Sequence, residues 1–175
     1  MGGILRLRSK SVKAILSGEC LIVRGNREIN VLRGKRKIGT IKNGVLELSP
    51  LEGIYLMKKG KIKAFHMGKE INVDQLLQKV DFKRYHVFED LTEKGYLVKS
   101  GHKYGADFRV YEKGDDPDKE HSSYLVRVIG EVESVKAYDL LALARVAHSV
   151  RKKLILAIVG EEGEVTYYSV KWTKL

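Results

Sequence analysis

Residues 110–126, VYEKGDDPDKEHSSYLV, hold a tyrosine and a histidine at the two ends of a polar loop, Tyr111 and His121, each beside a segment that reads as a strand. A surface hairpin requires neither residue there, and both side chains can exchange protons. Between them stand Asp115, Asp116, Asp118 and Glu120, oxygen donors of the kind calcium takes. An EF-hand loop needs acids at alternate positions and a glycine at the sixth, and Pro117 interrupts the run. The loop acids are therefore expected to be solvated spacers. The five histidines, at 66, 86, 102, 121 and 148, form no HExxH or other ligand spacing, and the single cysteine, Cys20, offers no thiolate set for zinc. No GxSxG anchors a serine nucleophile. No metal and no cofactor is expected, which leaves chemistry that side chains perform alone.

A second place for chemistry is the helical run SVKAYDLLALARVAHSVRK (134–152). Arg145 and Lys152, seven residues apart, would share one helix face, about 20° round and roughly 10 Å along. Such a pair could hold a phosphate with the lysine and stack on a nucleotide with the arginine. On spacing alone the better reading is cations gathered at a helix C-terminus, where Arg151, Lys152 and Lys153 meet the negative end of the dipole.

The segments around these residues must position them. Residues 9–17 read as a short helix closed by Gly18, and residues 20–48 as a small antiparallel sheet punctuated by RGN, RGKRK and KNG. Ser49, Pro50 and Glu52 spell a capping box for a helix running to about Gly60. KIKAFHM reads as a strand, and Asn72 with Gln75 caps a helix over 72–80. Asp81 caps a further helix that ends at Gly95. The strands YLVKSG, ADFRVYE, SYLVRVIG, KLILAIV and VTYYSVKW follow, interrupted only by the 134–152 helix. The fold expected is α/β (α+β): a small basic N-terminal domain over 1–80, then a mixed-sheet α/β domain over 81–175.

Charge divides the chain at the same place. Of the net +11, residues 1–80 carry all, with 17 Lys and Arg against 6 Asp and Glu, while residues 81–175 balance at 16 against 16. Clustered cations gain affinity for nucleic acid by displacing phosphate counterions, so RNA or DNA is the first partner to consider. The longest apolar runs, such as LILAIV (154–159), are too short to span a bilayer, and MGGILRLRSK lacks the apolar core of a signal peptide. With one cysteine and no disulfide, the expected setting is the cytoplasm, with no membrane partner.

Four blocks in order, FRVYEKG, EHSSYLV, ARVAHSVRKKL and GEVTYYSVKW, resemble the C-terminal catalytic domain of the tRNA-splicing endonuclease (tRNA-intron lyase) family of archaea and eukaryotes, over roughly residues 85–175. The N-terminal half is similar in size and element order to the N-terminal domain of the archaeal catalytic subunit. The resemblance implies a catalytic Tyr111, His121 and Lys152, with Tyr104, Tyr124 and Lys153 as the nearest rivals. It implies metal-independent cleavage of precursor tRNA at a bulge-helix-bulge, giving 2′,3′-cyclic phosphate and 5′-hydroxyl ends. Attack by a 2′-hydroxyl needs a base, the 5′-oxygen leaving group needs an acid, and the phosphorane needs a cation. The family gives these tasks to the tyrosine, histidine and lysine. An imidazole, with a reference pKa of about 6.5, suits the acid; a phenol near ~10 suits the base only where a cation stands close.

The resemblance further implies that Arg145 and Trp172 clamp a flipped bulge base, and that the acidic loop with Glu161, Glu162 and Glu164 docks on another subunit. The assembly implied is a homotetramer, or a heterotetramer with a structural subunit. The alternatives are a non-catalytic RNA-positioning subunit of the same assembly, or a basic RNA-binding module whose loop is an ordinary hairpin.

Overall fold

A computed structural model describes residues 11–34, 37–173 and Leu175. They form two compact units: one takes the chain up to Gly34 together with Ile38–Lys79, the other Val80–Leu175 with Lys37.

The first unit runs β1 (Val12–Ser17), β2 (Cys20–Val23), α1 (Asn26–Arg33), β3 (Thr40–Lys42), β4 (Val45–Leu48), α2 (Pro50–Lys58), β5 (Ile62–His66), β6 (Lys69–Ile71) and α3 (Val73–Leu77). Its sheet has the order β3-β4-β2-β1-β5-β6. Residues 12–17 form a strand where the sequence reads as a helix; residues 9 and 10 lie outside the described residues, as do Lys35 and Arg36 of the RGKRK cluster. The reason is period two: Val12 and Ala14 are buried and Lys13 is exposed between them, and Gly18 at φ 59 allows a two-residue turn that pairs Ser17 with Cys20. β1 also pairs in parallel with the distant β5, Ala14 opposite Ala64. A second correction concerns 20–48, where α1 interrupts the sheet and buries Ile29 and Leu32, neighbours one turn apart.

The capping boxes form as the sequence predicts. Ser49 accepts from the Glu52 N–H, and Glu52 accepts from the N–H groups of Ser49 and Gly39, each at 2.9 Å. Asn72 and Gln75 make the same reciprocal pair at the head of α3.

The second unit runs α4 (Phe82–Glu93), β7 (Leu97–Ser100), a 3₁₀ turn (His102–Tyr104), β8 (Phe108–Tyr111), β9 (Tyr124–Gly130), α5 (Ala137–Ser149), β10 (Lys153–Val159) and β11 (Val165–Val170). Asp81 caps α4, and Gly95 at φ 92 ends it. The sheet order is β11-β10-β9-β8-β7, with β9 and β10 parallel and the other neighbours antiparallel. Parallel neighbours need a crossover, which α5 supplies.

The two helices cover opposite faces. Phe88 of α4 meets Phe108 of β8 with ring centroids 6.4 Å apart. On the other face Leu143, Ala144 and Ala147 of α5 form one cluster with Leu125 of β9 and Leu154 of β10, and Tyr104 packs at its edge. Among the described residues no helix is long and apolar enough to cross a membrane.

Gly101 holds the turn that carries Tyr104: a Cβ there would lie 2.7 Å from the Phe108 carbonyl carbon and 2.9 Å from the Ala106 carbonyl oxygen. Backbone cannot rotate out of the way, so Gly101→Ala is expected to destabilise the protein by about 1–3 kcal/mol, read as a lowered urea midpoint.

Candidate active site

Three strand ends meet at one end of the second sheet, and their register decides which side chains share a face. Val110 pairs with Tyr124, and Tyr124 with Lys153. One step further, the Ser123 N–H donates to the Val110 carbonyl at 2.9 Å and the Lys153 N–H to the Ser123 carbonyl at 3.0 Å. Because side chains alternate along a strand, Tyr111, Ser123 and Lys152 fall in one row on the α5 face, and Val110, Tyr124 and Lys153 on the α4 face. The Lys152 ammonium donates to the carbonyl of Ser122, the residue after His121. His121 itself is exposed, at the mouth of the loop. Tyr111 is packed in, 3% exposed, with the Arg109 guanidinium 5.8 Å from its ring centre.

Lys152 reaches this row by a different route from the one its spacing predicts. α5 ends at Ser149, so Arg145 and Lys152 do not share a helix face. The Arg151 N–H donates to His148 at 3.1 Å and the Lys152 N–H to Ala147 at 2.8 Å, with Arg151 left-handed at φ 55. This is a Schellman ending, with arginine where glycine is usual, and it turns the chain directly into β10. The turn points Lys152 back at Ser122 instead of along the helix.

The rivals separate on geometry. Lys153 and Tyr124 lie on the far face, the ammonium 5.7 Å from the ring centre. The Tyr124 hydroxyl donates to Glu112, and this bond, then burial, then the Glu112 charge pushes its pKa up to about 12, the wrong direction for a base. Tyr104 is different: half-buried, it has the Lys152 ammonium 5.8 Å from its ring centre and Lys103 at 4.8 Å.

The loop acids are not mere solvated spacers. Asp115 accepts from the Glu112 N–H at 3.1 Å, Asp116 from the Asp118 N–H at 3.1 Å, and Glu120 from the Asp116 N–H at 2.9 Å. The Asp118 N–H, above other influences, holds the Asp116 carboxyl below its ordinary range. The acids fold the loop by capping its own turns. Among the described residues no group of three or more His, Cys, Asp or Glu side chains stands where it could hold a metal.

Arg145 is exposed on α5, and His148, one turn on, meets the half-exposed Trp172 ring at 5.4 Å. Sequence reasoning named Arg145 and Trp172 but missed His148, which carries no signal beyond its i+3 spacing from the arginine. Glu161, Glu162 and Glu164 are exposed on the β10–β11 turn. That turn rests on α4, since a Cβ on Gly163 would come within 2.6 Å of the His86 ring.

The second unit is thus a mixed sheet with a helix on each face, with Tyr111 and Lys152 in one row at its strand ends and His121 in the adjoining loop, and the known proteins similar to it are RNA-cleaving enzymes. The model of the tRNA intron endonuclease catalytic C-terminal domain matches residues 82–167, and that of the N-terminal domain residues 12–77. The tRNA-splicing endonuclease of Methanothermobacter thermautotrophicus is 38% identical over 167 residues, covering 93% of this chain and 98% of that relative. That of Thermococcus onnurineus is 41% identical over 166 residues, covering 91% and 95%. That of Methanopyrus kandleri is 43% identical over 150 residues, covering 81% and 83%. The chain belongs to the tRNA intron endonuclease family.

Since its pKa stands above the ordinary 10.0, Tyr124 favours its protonated form in the folded protein. The stability this contributes is whole below pH 10 and fades as the pH rises towards about 12. Glu112→Ala, which removes both the bond and the charge, is expected to bring the ionisation of Tyr124 down towards 10, followed through its ring-carbon shift by NMR. An unchanged ionisation would contradict the assigned cause.

Proposed function

We propose that this tRNA-intron endonuclease cleaves precursor tRNA at the intron–exon junctions of a bulge-helix-bulge, without a metal, leaving 2′,3′-cyclic phosphate and 5′-hydroxyl ends. Tyr111 takes the proton of the attacking 2′-hydroxyl, His121 protonates the departing 5′-oxygen, and Lys152 balances the charge of the phosphorane. The observation that carries this reading is the row of Tyr111, Ser123 and Lys152 across the strand ends, with the Lys152 ammonium donating to the carbonyl of Ser122, the chain neighbour of His121. A base needs only its oxygen at the surface, so a packed tyrosine ring is compatible with the task.

One contact favours a second reading for the base. The Lys152 ammonium faces the ring of Tyr104, 5.8 Å from its centre, so this tyrosine too stands beside the cation the reaction needs. The two tyrosines exchange roles in no other respect, so phenylalanine at each position decides between them.

Arg145 and Trp172 would clamp a flipped bulge base, guanidinium and indole being suitable stacking surfaces for unpaired RNA. The acidic turn with Glu161, Glu162 and Glu164 would dock on a basic surface of another subunit, in a homotetramer or in a two-plus-two assembly with a structural partner. A purely RNA-positioning subunit would have no use for a tyrosine and a lysine in one row with a histidine in the loop beside them.

His121→Ala is expected to abolish cleavage while RNA affinity stays within a few-fold, because an acid acts in the transition state and not on ground-state binding. Tyr111→Phe should lower single-turnover cleavage by roughly 10²–10⁴-fold and Tyr104→Phe by far less; the reverse order would assign the base to Tyr104. Arg145→Ala should slow cleavage at bulges while leaving binding to a plain duplex unchanged, and equal losses on both would remove the clamp.

A further inference from the structure

The polar loop is closed at its base on the face of the sheet away from Lys152. Glu112, directly after Tyr111, accepts the hydroxyl proton of Tyr124, which opens β9 three residues after His121. This contact joins the two ends of the loop twelve residues apart in the chain. Tyr124 also lies at the centre of the strand ends that carry the row on the front. It is the register partner of Val110 on β8 and of Lys153 on β10, one residue from Tyr111 and Lys152 respectively. Its ring is bracketed by the Lys153 ammonium at 5.7 Å and by Tyr96, perpendicular at 6.3 Å, and Lys113 in turn lies 5.1 Å from the Tyr96 ring centre.

We infer that Glu112 and Tyr124 form a positioning pair for the reaction: their bond behind the sheet fixes the separation of Tyr111 and His121 in front of it. The inference rests on the reading of Tyr111, His121 and Lys152 as the catalytic trio. Neither member of the pair touches RNA in this scheme. The Ser123 N–H bond to the Val110 carbonyl pairs the backbones at the base of the loop, the Glu112–Tyr124 bond adds a side-chain tie beyond that last backbone pair, and a displacement of about 1 Å at the reacting groups costs rate on the order of 10²-fold. The bond crosses from the last residue before the loop turns to the first residue of the returning strand, so it restrains both active-site neighbours at once. Glu112 is itself oriented by the loop, since its N–H is held by Asp115.

The test measures single-turnover cleavage of a bulged precursor-tRNA transcript by the full chain at saturating enzyme, together with the dissociation constant for the same RNA. Tyr124→Phe keeps the ring and its packing and removes only the hydroxyl. Its cleavage rate should fall about tenfold or more with affinity within about twofold, while the pH limbs of the rate profile keep their positions. Glu112→Gln, whose amide oxygen still accepts the bond, should retain the rate within about threefold, and Glu112→Ala should fall like Tyr124→Phe. The double variant Glu112→Ala with Tyr124→Phe should be no slower than either alone, as for two halves of one contact.

Tyr124→Phe at the wild-type rate, losses that multiply in the double variant, or an equal loss of RNA affinity would overturn the inference. His121→Ala in the same assay separates the two levels. If it cleaves normally, the catalytic reading fails and the positioning pair with it; if it is inactive while Tyr124→Phe is at full rate, only the pair fails. Near-ultraviolet circular dichroism checks that each variant is folded, and should Tyr124→Phe not fold, the Gln and Ala variants of Glu112 decide the matter between them.

Discussion

The pairing register of β8, β9 and β10 is the constraint on which the site depends. Side chains alternate between faces, so a slip of one residue between β9 and β10 would send Lys152 to the α4 face and bring Lys153 forward. The register is held by apolar pairs that cannot move to the wrong side without exposing the core: Leu125 and Leu154 face α5 together, and both are almost wholly buried. The Schellman ending of α5 then hands the chain to β10 in the correct phase, at the expense of a left-handed Arg151. A non-glycine residue in that conformation costs roughly 1–2 kcal/mol, which the surrounding packing has to offset. Helix, turn and strand together thus specify where one ammonium stands.

Charge is distributed in keeping with an enzyme that handles RNA. The excess of cations lies in the first 80 residues, while the catalytic half is neutral overall. Within that half, acids are occupied locally: at the opposite end of β8 Asp107 accepts from the Val128 N–H and faces Arg84 and Arg127 at 3.5 Å, and the acids of the polar loop cap backbone N–H groups. Carboxylates tied down in this way repel an approaching phosphate less than free ones would, and they give the loop a shape. Glu112 differs from them in reaching across to β9.

Local signals were legible in the sequence, and distant ones less so. Ser49 with Glu52, Asn72 with Gln75, and Asp81 each act within three residues, and each cap forms as read. The strands of the second sheet were legible as runs of β-branched and aromatic residues between turn signals. The segment of β1 reads as a helix because its defining partner, β5, lies about fifty residues away, and a short run with lysines spaced through it carries no statement of that pairing. α1 was hidden by Gly25 and Gly34, which read as turn residues although they stand at the ends of a helix. The sequence sets Arg145 and Lys152 on one helix face because nothing about an arginine at 151 announces a left-handed turn. The trio of Tyr111, His121 and Lys152 came from ordered motifs and not from any physical pattern of spacing, whereas the bond between Glu112 and Tyr124 left no trace in either.

The central claim is that side chains at three strand ends cleave RNA by activating its own 2′-hydroxyl. It is tested most directly with a bulged precursor-tRNA transcript carrying a single 2′-deoxynucleotide on the 5′ side of the scissile phosphate, cleaved in the presence of excess chelator beside the all-ribose control. The account predicts that the control is cut in chelator to a 2′,3′-cyclic phosphate and a 5′-hydroxyl, and that the deoxy substrate binds with similar affinity but is not cut. Cleavage of the deoxy substrate at a comparable rate, or loss of all cleavage on chelation with recovery on adding a divalent metal, would contradict it.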